Sequence, residues 1–238
     1  MLRLEGLNVV QGEFALKADW SVPQGTRVSI IGPSGGGKST LLSTIAGFLT
    51  PKAGRILWDE KDITHMPPGM RPVSVIFQDN NLFPHLSVEQ NVGLAVRPDL
   101  RLTDQDRQSV SDALSRVGLS GKEHALPAQL SGGQAARVAI ARALLQARSL
   151  LLLDEPFAAL GPALKAEMLT LVGEVAEAAG TTVLLVSHDP LDAKRFADLT
   201  VLVADGVAEK PALTQSLFAA PPPALGAYLG ASSEHAKK

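Results

Sequence analysis

A glycine-rich stretch near the start of the chain has the composition of a phosphate-binding loop. It reads GPSGGGKST and matches the pattern G-x-x-x-x-G-K-[ST] in full. Glycines allow successive backbone N–H groups to converge on phosphate oxygens without interference from a Cβ atom. Lys38 can reach the β- and γ-phosphates of a nucleotide, and the Ser39 hydroxyl can be a ligand of Mg²⁺. A flexible glycine turn is the alternative, but an apolar run before the loop and a helical pattern after it favour phosphate binding. The residues predicted to contact the nucleotide are Gly32, Pro33, Ser34, Gly35, Gly36, Gly37, Lys38, Ser39 and Thr40.

Two adjacent carboxylates follow a second apolar run, LLLLDEP at 150–156. Open α/β sheets bind their ligands at the carboxyl ends of the strands, where Asp154 and Glu155 would lie. We predict that Asp154 holds Mg²⁺ through its water shell and that Glu155 polarises the attacking water. The alternative is an acidic pair that caps the following helix.

Two single polar residues also follow apolar runs. Gln78 comes after PVSVIF, and its neutral amide could bind the metal or a water molecule. His188 comes after TTVLLVS and could donate a hydrogen bond to the γ-phosphate or to the attacking water. Each residue alone is more often an ordinary polar residue at a strand end. Their shared position at strand ends favours a part in catalysis.

A second stretch, LSGGQ at 130–134, also has the ingredients of a phosphate cradle. A serine can cap a helix, and the two glycines leave the amides at the helix N-terminus exposed. The alternative is a capped surface helix with no ligand. Because this stretch is far along the chain from the first loop, we predict that it serves the nucleotide of a second copy in a head-to-tail dimer. The predicted contacts are Ser131, Gly132, Gly133 and Gln134.

The elements that would position these residues form an α/β pattern. Continuous apolar runs are typical of parallel strands that are buried on both faces. Helical patterns lie between them. The predicted strands are 26–32, 72–77, 149–154, 181–187 and 199–205, and the clearest helices are 39–49 and 162–180.

The domain organisation follows from these elements. We predict one domain over 1–215, with a nucleotide-binding core at 1–78 and 147–215 and an inserted helical subdomain at 79–146. The segment 216–238 is rich in proline and small residues, and we expect it to be poorly ordered.

Composition limits the classes of partner. The net charge of −2 gives no general attraction to nucleic acid or to anionic lipid. The chain has no cysteine, which excludes disulfides and thiolate metal sites. We expect no signal peptide and no membrane-spanning segment, so any function at a membrane would be carried out from outside the lipid bilayer.

The order and spacing of these motifs resemble those of the ATP-binding-cassette ATPases over nearly the whole chain up to residue 215. The resemblance implies a P-loop NTPase core with a parallel-rich sheet, an antiparallel N-terminal β portion and an inserted helical subdomain. It also implies ATP and Mg²⁺ as ligands and a homodimer that ATP closes and hydrolysis reopens. Residues 79–95 would contact a membrane permease.

A closer resemblance is carried by AGFLTP at 46–51, MPPGMRPVSVIFQDNNLFPHLSVEQNVGL at 66–94, PALKAEMLTLV at 162–172 and VADG at 203–206. These stretches are similar to the ATP-binding subunits of bacterial thiamine importers. The resemblance implies a permease, a periplasmic thiamine-binding protein that acts indirectly, and a peripheral location on the cytoplasmic face of the inner membrane. Two alternatives are import of another solute and, with less support, a soluble ATPase that acts on nucleic acid or ribosomes.

Two positions depart from the family pattern. The aromatic residue that usually stacks on adenine is missing after the first strand, where Gln11 stands with only Phe14 nearby. The loop after Glu155 ends in Gly161, where the family usually has an aspartate that communicates across the dimer. We expect hydrolysis to survive this change and coordination between the two sites to weaken.

Overall fold

A computed structural model describes residues 1–79 and 81–235. The strands are β1 (Leu2–Gln11), β2 (Phe14–Val22), β3 (Arg27–Ile31), β4 (Ala53–Trp58), β5 (Lys61–Asp62), β6 (Val73–Ile76), β7 (Leu150–Asp154), β8 (Thr182–Val186), β9 (Leu199–Ala204), β10 (Val207–Ala208) and β11 (Ala212–Leu213). The helices are α1 (Lys38–Ala46), α2 (Val88–Gly93), α3 (Asp104–Arg116), α4 (Gly132–Gln146), α5 (Pro162–Ala179), α6 (Pro190–Phe196), α7 (Thr214–Ala219) and α8 (Pro223–His235).

The centre of the fold is a parallel sheet in the order β9-β3-β8-β7-β6. Alternate residues of each central strand enter different core clusters. Leu150 and Leu152 pack in the cluster on one face, and Leu151 and Leu153 pack in the cluster on the other. Burial on both faces explains why these strands are continuous apolar runs. The α/β fold that the sequence predicted is confirmed.

An antiparallel portion adjoins this sheet in the order β5-β4-β1-β2, and β10 links it to β9. Buried and more exposed residues alternate along its strands, because only one face of this antiparallel sheet is covered. Leu2, Leu4, Leu7 and Val9 of β1 are buried, with a register shift between Leu4 and Leu7. The turn that follows brings the start of β2 to the loop after β3.

The helical insertion lies between β6 and β7. From Phe77 to Ser149 the described residues form α2, α3 and α4 and no strand. Each helix has an N-terminal capping box, formed at Ser87, Thr103 and Ser131. Apolar residues of these helices pack in the same cluster as one face of β7 and β8, which fixes the insertion against the sheet.

The C-terminal segment differs from its sequence-based expectation. The sequence predicts poor order for 216–238, whereas the structure has helices within this segment, most of α7 and then α8. The proline-rich stretch begins a helix because proline is well tolerated in the first turn. Apolar side chains then pack against the ends of β3, α6 and β9. This C-terminal cluster contains Ile31, Ala193, Leu202, Leu217, Phe218, Leu225, Tyr228 and Leu229.

The helices give no candidate for a membrane span. Across residues 1–79 and 81–235, none of them combines the length and the apolar character needed to cross a bilayer.

Candidate functional site

The loop between β3 and α1 depends on glycine at two positions. Gly32 has a φ of 146° and Gly37 a φ of 106°, values that other residues rarely adopt. A Cβ atom at position 32 would lie 2.0 Å from the carbonyl oxygen of Val203, and one at position 37 would lie 2.7 Å from the Phe14 ring. The loop is therefore pressed against β9 and β2, and its backbone is available for a ligand.

Lys38 places a buried cation inside this loop. Its Nζ donates hydrogen bonds of 2.9 Å to the carbonyl oxygens of Gly32 and Pro33. Burial lowers the pKa of Lys38, while the negative charges of Glu155 and Asp154 oppose that change. A cation held in a glycine loop by two carbonyl groups can turn to a phosphate with little rearrangement of the backbone.

Ser39 and Asp154 form the part of the site that suits a divalent cation. The Ser39 hydroxyl donates a 3.1 Å hydrogen bond to Oδ1 of Asp154. Burial and the neighbouring Glu155 raise the pKa of Asp154, and the hydrogen bond from Ser39 acts in the opposite direction. Hydroxyl and carboxylate oxygens are the ligands that Mg²⁺ prefers. The two residues therefore fit the predicted metal.

Glu155 and His188 lie side by side. Nδ1 of His188 is 3.1 Å from Oε2 of Glu155. Glu155 has a φ of 48°, and its backbone N–H donates to the carbonyl oxygen of Val186. A positive φ in a residue other than glycine is uncommon, and such strain is frequent at functional sites. This backbone conformation turns the Glu155 side chain out of the strand direction and towards His188.

Gln78 lies at the same edge of the sheet without a resolved contact to the other candidates. Ile76 of β6 pairs with Leu153 of β7, so Gln78, two residues further on, is level with Glu155. Its side chain is exposed, and within residues 1–79 and 81–235 it has no hydrogen bond. Contact between Gln78 and the metal stays a prediction.

The second glycine stretch forms the N-terminus of α4. Ser131 Oγ accepts from the N–H of Gln134, whose Oε1 accepts from the N–H of Ser131. Ser131 and Gly132 are exposed, whereas a Cβ atom at position 133 would lie 2.7 Å from a methyl group of Leu164. The geometry is that of a well-capped helix that leaves its first amides open to solvent.

The cavity over the first glycine stretch does not include the second among the described residues that line it. A cavity of about 530 Å³ lies over the first loop. Its described lining includes Lys38, Ser39 and Glu155 but none of residues 131–134. A ligand of the exposed Ser131 stretch would therefore have to come from outside this cavity.

Gln11 and Phe14 also line this cavity. The Phe14 ring packs on Gly37, and Gln11 Oε1 accepts a 3.3 Å hydrogen bond from the Thr40 hydroxyl. The residue pair that the sequence analysis singled out is thus beside the phosphate loop.

Sequence reasoning missed an ion-pair network beneath His188. Asp192 is buried, accepts a hydrogen bond from the Ser187 hydroxyl and pairs with Lys165 at 2.6 Å. Lys165 belongs to α5 and Asp192 to α6, so the network joins two helices under the His188 loop. The polar residues in SHDPLD signal a helix cap, but they do not identify a lysine more than 20 residues upstream as the partner.

Neutralising Asp154 is expected to stabilise the protein in the absence of ligand. Because its pKa is raised in the folded state, the ionised carboxylate costs stability at pH 7, and this cost declines as the pH falls through the folded pKa of Asp154. Asp154→Asn should therefore raise Tm at pH 7. Thermal unfolding in EDTA at pH 7 measures this, and the difference from wild type should narrow at lower pH.

Asp198→Asn is the matched control. The hydrogen bond from Arg27 lowers the pKa of Asp198, so its charge contributes stability above its ordinary pKa that is lost as the pH falls. Neutralising Asp198 should therefore lower Tm at pH 7. A lower Tm for both variants would contradict the expectation that ionised Asp154 destabilises the folded protein and ionised Asp198 stabilises it.

The chain is similar to a family model and to several characterised proteins. Residues 16–158 match the model described as ABC transporter. The thiamine import ATP-binding protein of Cereibacter sphaeroides is 61% identical over 230 residues, which are 97% of this chain and 100% of that protein. The dimeric structure of a bacterial ABC transporter cassette aligns with a TM-score of 0.77 and 30% identity, covering 90% of this chain and 99% of that one. A post-hydrolysis dimer of the same cassette, bound to ADP and Pi, aligns with a TM-score of 0.76 and 29% identity over the same shares.

Proposed function

The chain belongs to the ABC transporter family, and from this premise we propose that it is the ATP-hydrolysing subunit of an importer for thiamine or its phosphates. The observation that carries the proposal is the end-to-end similarity to thiamine import ATP-binding proteins. The site itself supports ATP hydrolysis but does not select the solute, because the solute would be bound by other subunits. The alternative is therefore that the chain is the ATP-hydrolysing subunit of an importer for another solute.

We propose a task in hydrolysis for each of these side chains. Lys38 offsets negative charge on the β- and γ-phosphates. Glu155 accepts a proton from water as the water oxygen bonds to the γ-phosphorus and the bond to the ADP oxygen breaks. His188, next to Glu155, donates a hydrogen bond to the γ-phosphate or to the water. Ser39 and Asp154, with Gln78 at the same sheet edge, would hold Mg²⁺, which supplies positive charge that neutralises the phosphates.

A head-to-tail homodimer would complete the site. The Ser131 stretch is exposed, capped and outside the cavity over the first loop, so a ligand on it can belong to a second copy. Similarity to a dimeric cassette supports this arrangement. Each ATP would then lie between the Lys38 loop of one copy and the residues Ser131, Gly132, Gly133 and Gln134 of the other.

We propose that the two sites of such a dimer communicate through the loop that contains Gly161. Gly161 is the residue before α5, without a side chain to cap the helix, and its carbonyl oxygen accepts from the N–H of Lys165. Lys165 pairs with Asp192 beneath His188. This path links the loop to Ser187, the residue before His188, through the backbone, one ion pair and the hydrogen bond from Ser187 to Asp192. We propose that glycine at position 161 makes the coupling between the two sites weaker than an aspartate at the same position would.

An exposed aromatic groove is the proposed docking surface for the permease. It is a cavity of about 380 Å³ beside the segment 79–95. Phe83 and Phe48 are 47% and 53% exposed, and the Phe48 ring is 5.8 Å from that of Phe77. Large exposed apolar side chains in a concave surface are typical of a protein interface. Docking there would hold the chain at the cytoplasmic face of the inner membrane and link it indirectly to a periplasmic solute-binding protein.

Phe83→Asp should disrupt docking without affecting nucleotide binding. A charge in the groove would have to lose its water on contact with an apolar permease helix, which we expect to weaken binding by at least about tenfold. Co-purification with the coexpressed permease measures this loss. Leu191→Asp is the control, because Leu191 is 52% exposed but lies on α6, outside the groove. Equal co-purification of Phe83→Asp and wild type would exclude this surface.

Transport by the reconstituted complex tests the proposed function. Proteoliposomes that contain the chain, its permease and its binding protein should take up thiamine only when ATP is supplied to the side that holds the chain. Uptake of a different solute and none of thiamine or its phosphates would favour the alternative. ATP hydrolysis stimulated by nucleic acid would instead favour a soluble ATPase, which the net charge does not support.

A further inference from the structure

The C-terminal helix reaches the candidate catalytic centre. The hydroxyl group of Tyr228 in α8 donates a 2.6 Å hydrogen bond to the carbonyl oxygen of His188. The two residues are 40 positions apart in sequence, and no motif connects them. The contact therefore arises from the packing of α8, a segment that the nucleotide site does not otherwise use.

Helix α8 is anchored independently of this hydroxyl. Leu225 is fully buried in the C-terminal cluster, between Ile31 at the end of β3 and Leu202 of β9. The Lys194 ammonium lies 4.9 Å from the centre of the Phe218 ring, which ties α6 to α7. Removing the Tyr228 hydroxyl should therefore leave the helix in place.

The His188 side chain has little of its own to fix it. It is 56% exposed and has its resolved contact with Glu155. The neighbouring backbone is held instead: the N–H of Ser187 donates to Ile30, and the N–H of Asp189 donates to the Ser187 hydroxyl. The hydrogen bond from Tyr228 fixes the peptide that follows the His188 side chain. A backbone fixed on both sides of His188 fixes the Cα–Cβ bond from which the imidazole extends towards Glu155.

We propose that Tyr228 is a positioning residue for hydrolysis: it holds the His188 peptide so that the imidazole stays beside Glu155. The inference rests on the proposed role of His188. It gives the C-terminal helix a function in ATP turnover, since the Tyr228 hydroxyl donates to the carbonyl oxygen of this peptide, while the N–H of the same peptide donates to the Ser187 hydroxyl. Tyr228 acts through His188 and touches no reacting atom.

Tyr228→Phe removes the hydrogen bond and keeps the ring in the C-terminal cluster. For the full-length protein, kcat for ATP hydrolysis should fall about 3- to 10-fold, the factor that a single neutral hydrogen bond usually contributes. KM for ATP should stay within about twofold, because the phosphate loop is untouched, and Tm should change little. Wild-type kcat in Tyr228→Phe would overturn the proposal.

A double-mutant cycle separates positioning from a general effect on the fold. In a His188→Ala background there is no imidazole to orient, so Tyr228→Phe should cause no further loss of single-turnover rate. The same fold loss in that background would overturn the proposal, since the hydroxyl would then act by another route. If His188→Ala alone hydrolyses ATP at the wild-type rate, the proposed role of His188 fails first and the inference fails with it. A slow His188→Ala beside a normal Tyr228→Phe contradicts the inference alone.

Discussion

Lys38→Ala is expected to abolish tight ATP binding and to lower ATP hydrolysis by at least about 100-fold. The ammonium group lies inside the phosphate loop, bonded to the carbonyl oxygens of Gly32 and Pro33. Without the Lys38 ammonium, the phosphates of ATP would be repelled by the loop carbonyl groups and by the carboxylates of Asp154 and Glu155, with no side-chain cation to offset the repulsion. Loss of such a charge-assisted contact in a partly buried site costs on the order of 3 kcal/mol, or about 100-fold. Isothermal titration with ATP and a steady-state phosphate-release assay measure the two effects.

Lys52→Ala is the control for loss of a positive charge. Lys52 is exposed and precedes β4, away from the cavity over the phosphate loop. The Lys52→Ala variant should bind and hydrolyse ATP as the wild type does. Folding of Lys38→Ala is checked by its thermal transition, because the change leaves two carbonyl groups of the loop without their donor. Near-normal hydrolysis by a folded Lys38→Ala variant would remove the phosphate-loop assignment.

The central sheet could be predicted from the sequence because its physical signal is local. Each of the five parallel strands is a short apolar run, and burial on both faces requires that composition. The same runs predicted the position of the site, since polar residues that follow parallel strands must meet at one edge. The 3.1 Å contact between Ser39 and Asp154, which are 115 positions apart, is a direct result.

The C-terminal helices could not be predicted in this way. Their apolar residues are separated by prolines and alanines, so they give a weak periodic signal, and their order comes from packing against Ile31, Ala193 and Leu202. Contacts between residues far apart in this chain, such as Tyr228 with His188 or Lys165 with Asp192, depend on the same long-range packing. Side chains of these types are common at surfaces, and only the fold makes them neighbours.

Glu155→Gln is expected to stop hydrolysis while ATP binding is retained. Glutamine keeps the shape of the side chain but cannot accept a proton from water, and loss of a general base usually lowers the rate by about 100- to 10,000-fold. The change also removes a negative charge that raises the pKa of Asp154, so Asp154 should stay ionised and able to hold a metal ion. With ATP and Mg²⁺ the variant should therefore accumulate as a closed dimer, which size-exclusion chromatography with light scattering detects.

A second substitution tests whether that dimer is the proposed head-to-tail one. Ser131→Arg places a large side chain at the exposed N-terminus of α4, in a stretch that does not line the cavity of its own chain. In the Glu155→Gln background it should leave ATP binding by the monomer intact and prevent the ATP-dependent dimer, because the bulk would lie between the two copies. Glu174→Gln, at an exposed residue of α5, is the control for loss of a carboxylate and should hydrolyse ATP normally. If Glu155→Gln stays a monomer with ATP and Mg²⁺, or dimerises equally well with Ser131→Arg, the proposed head-to-tail dimer is excluded.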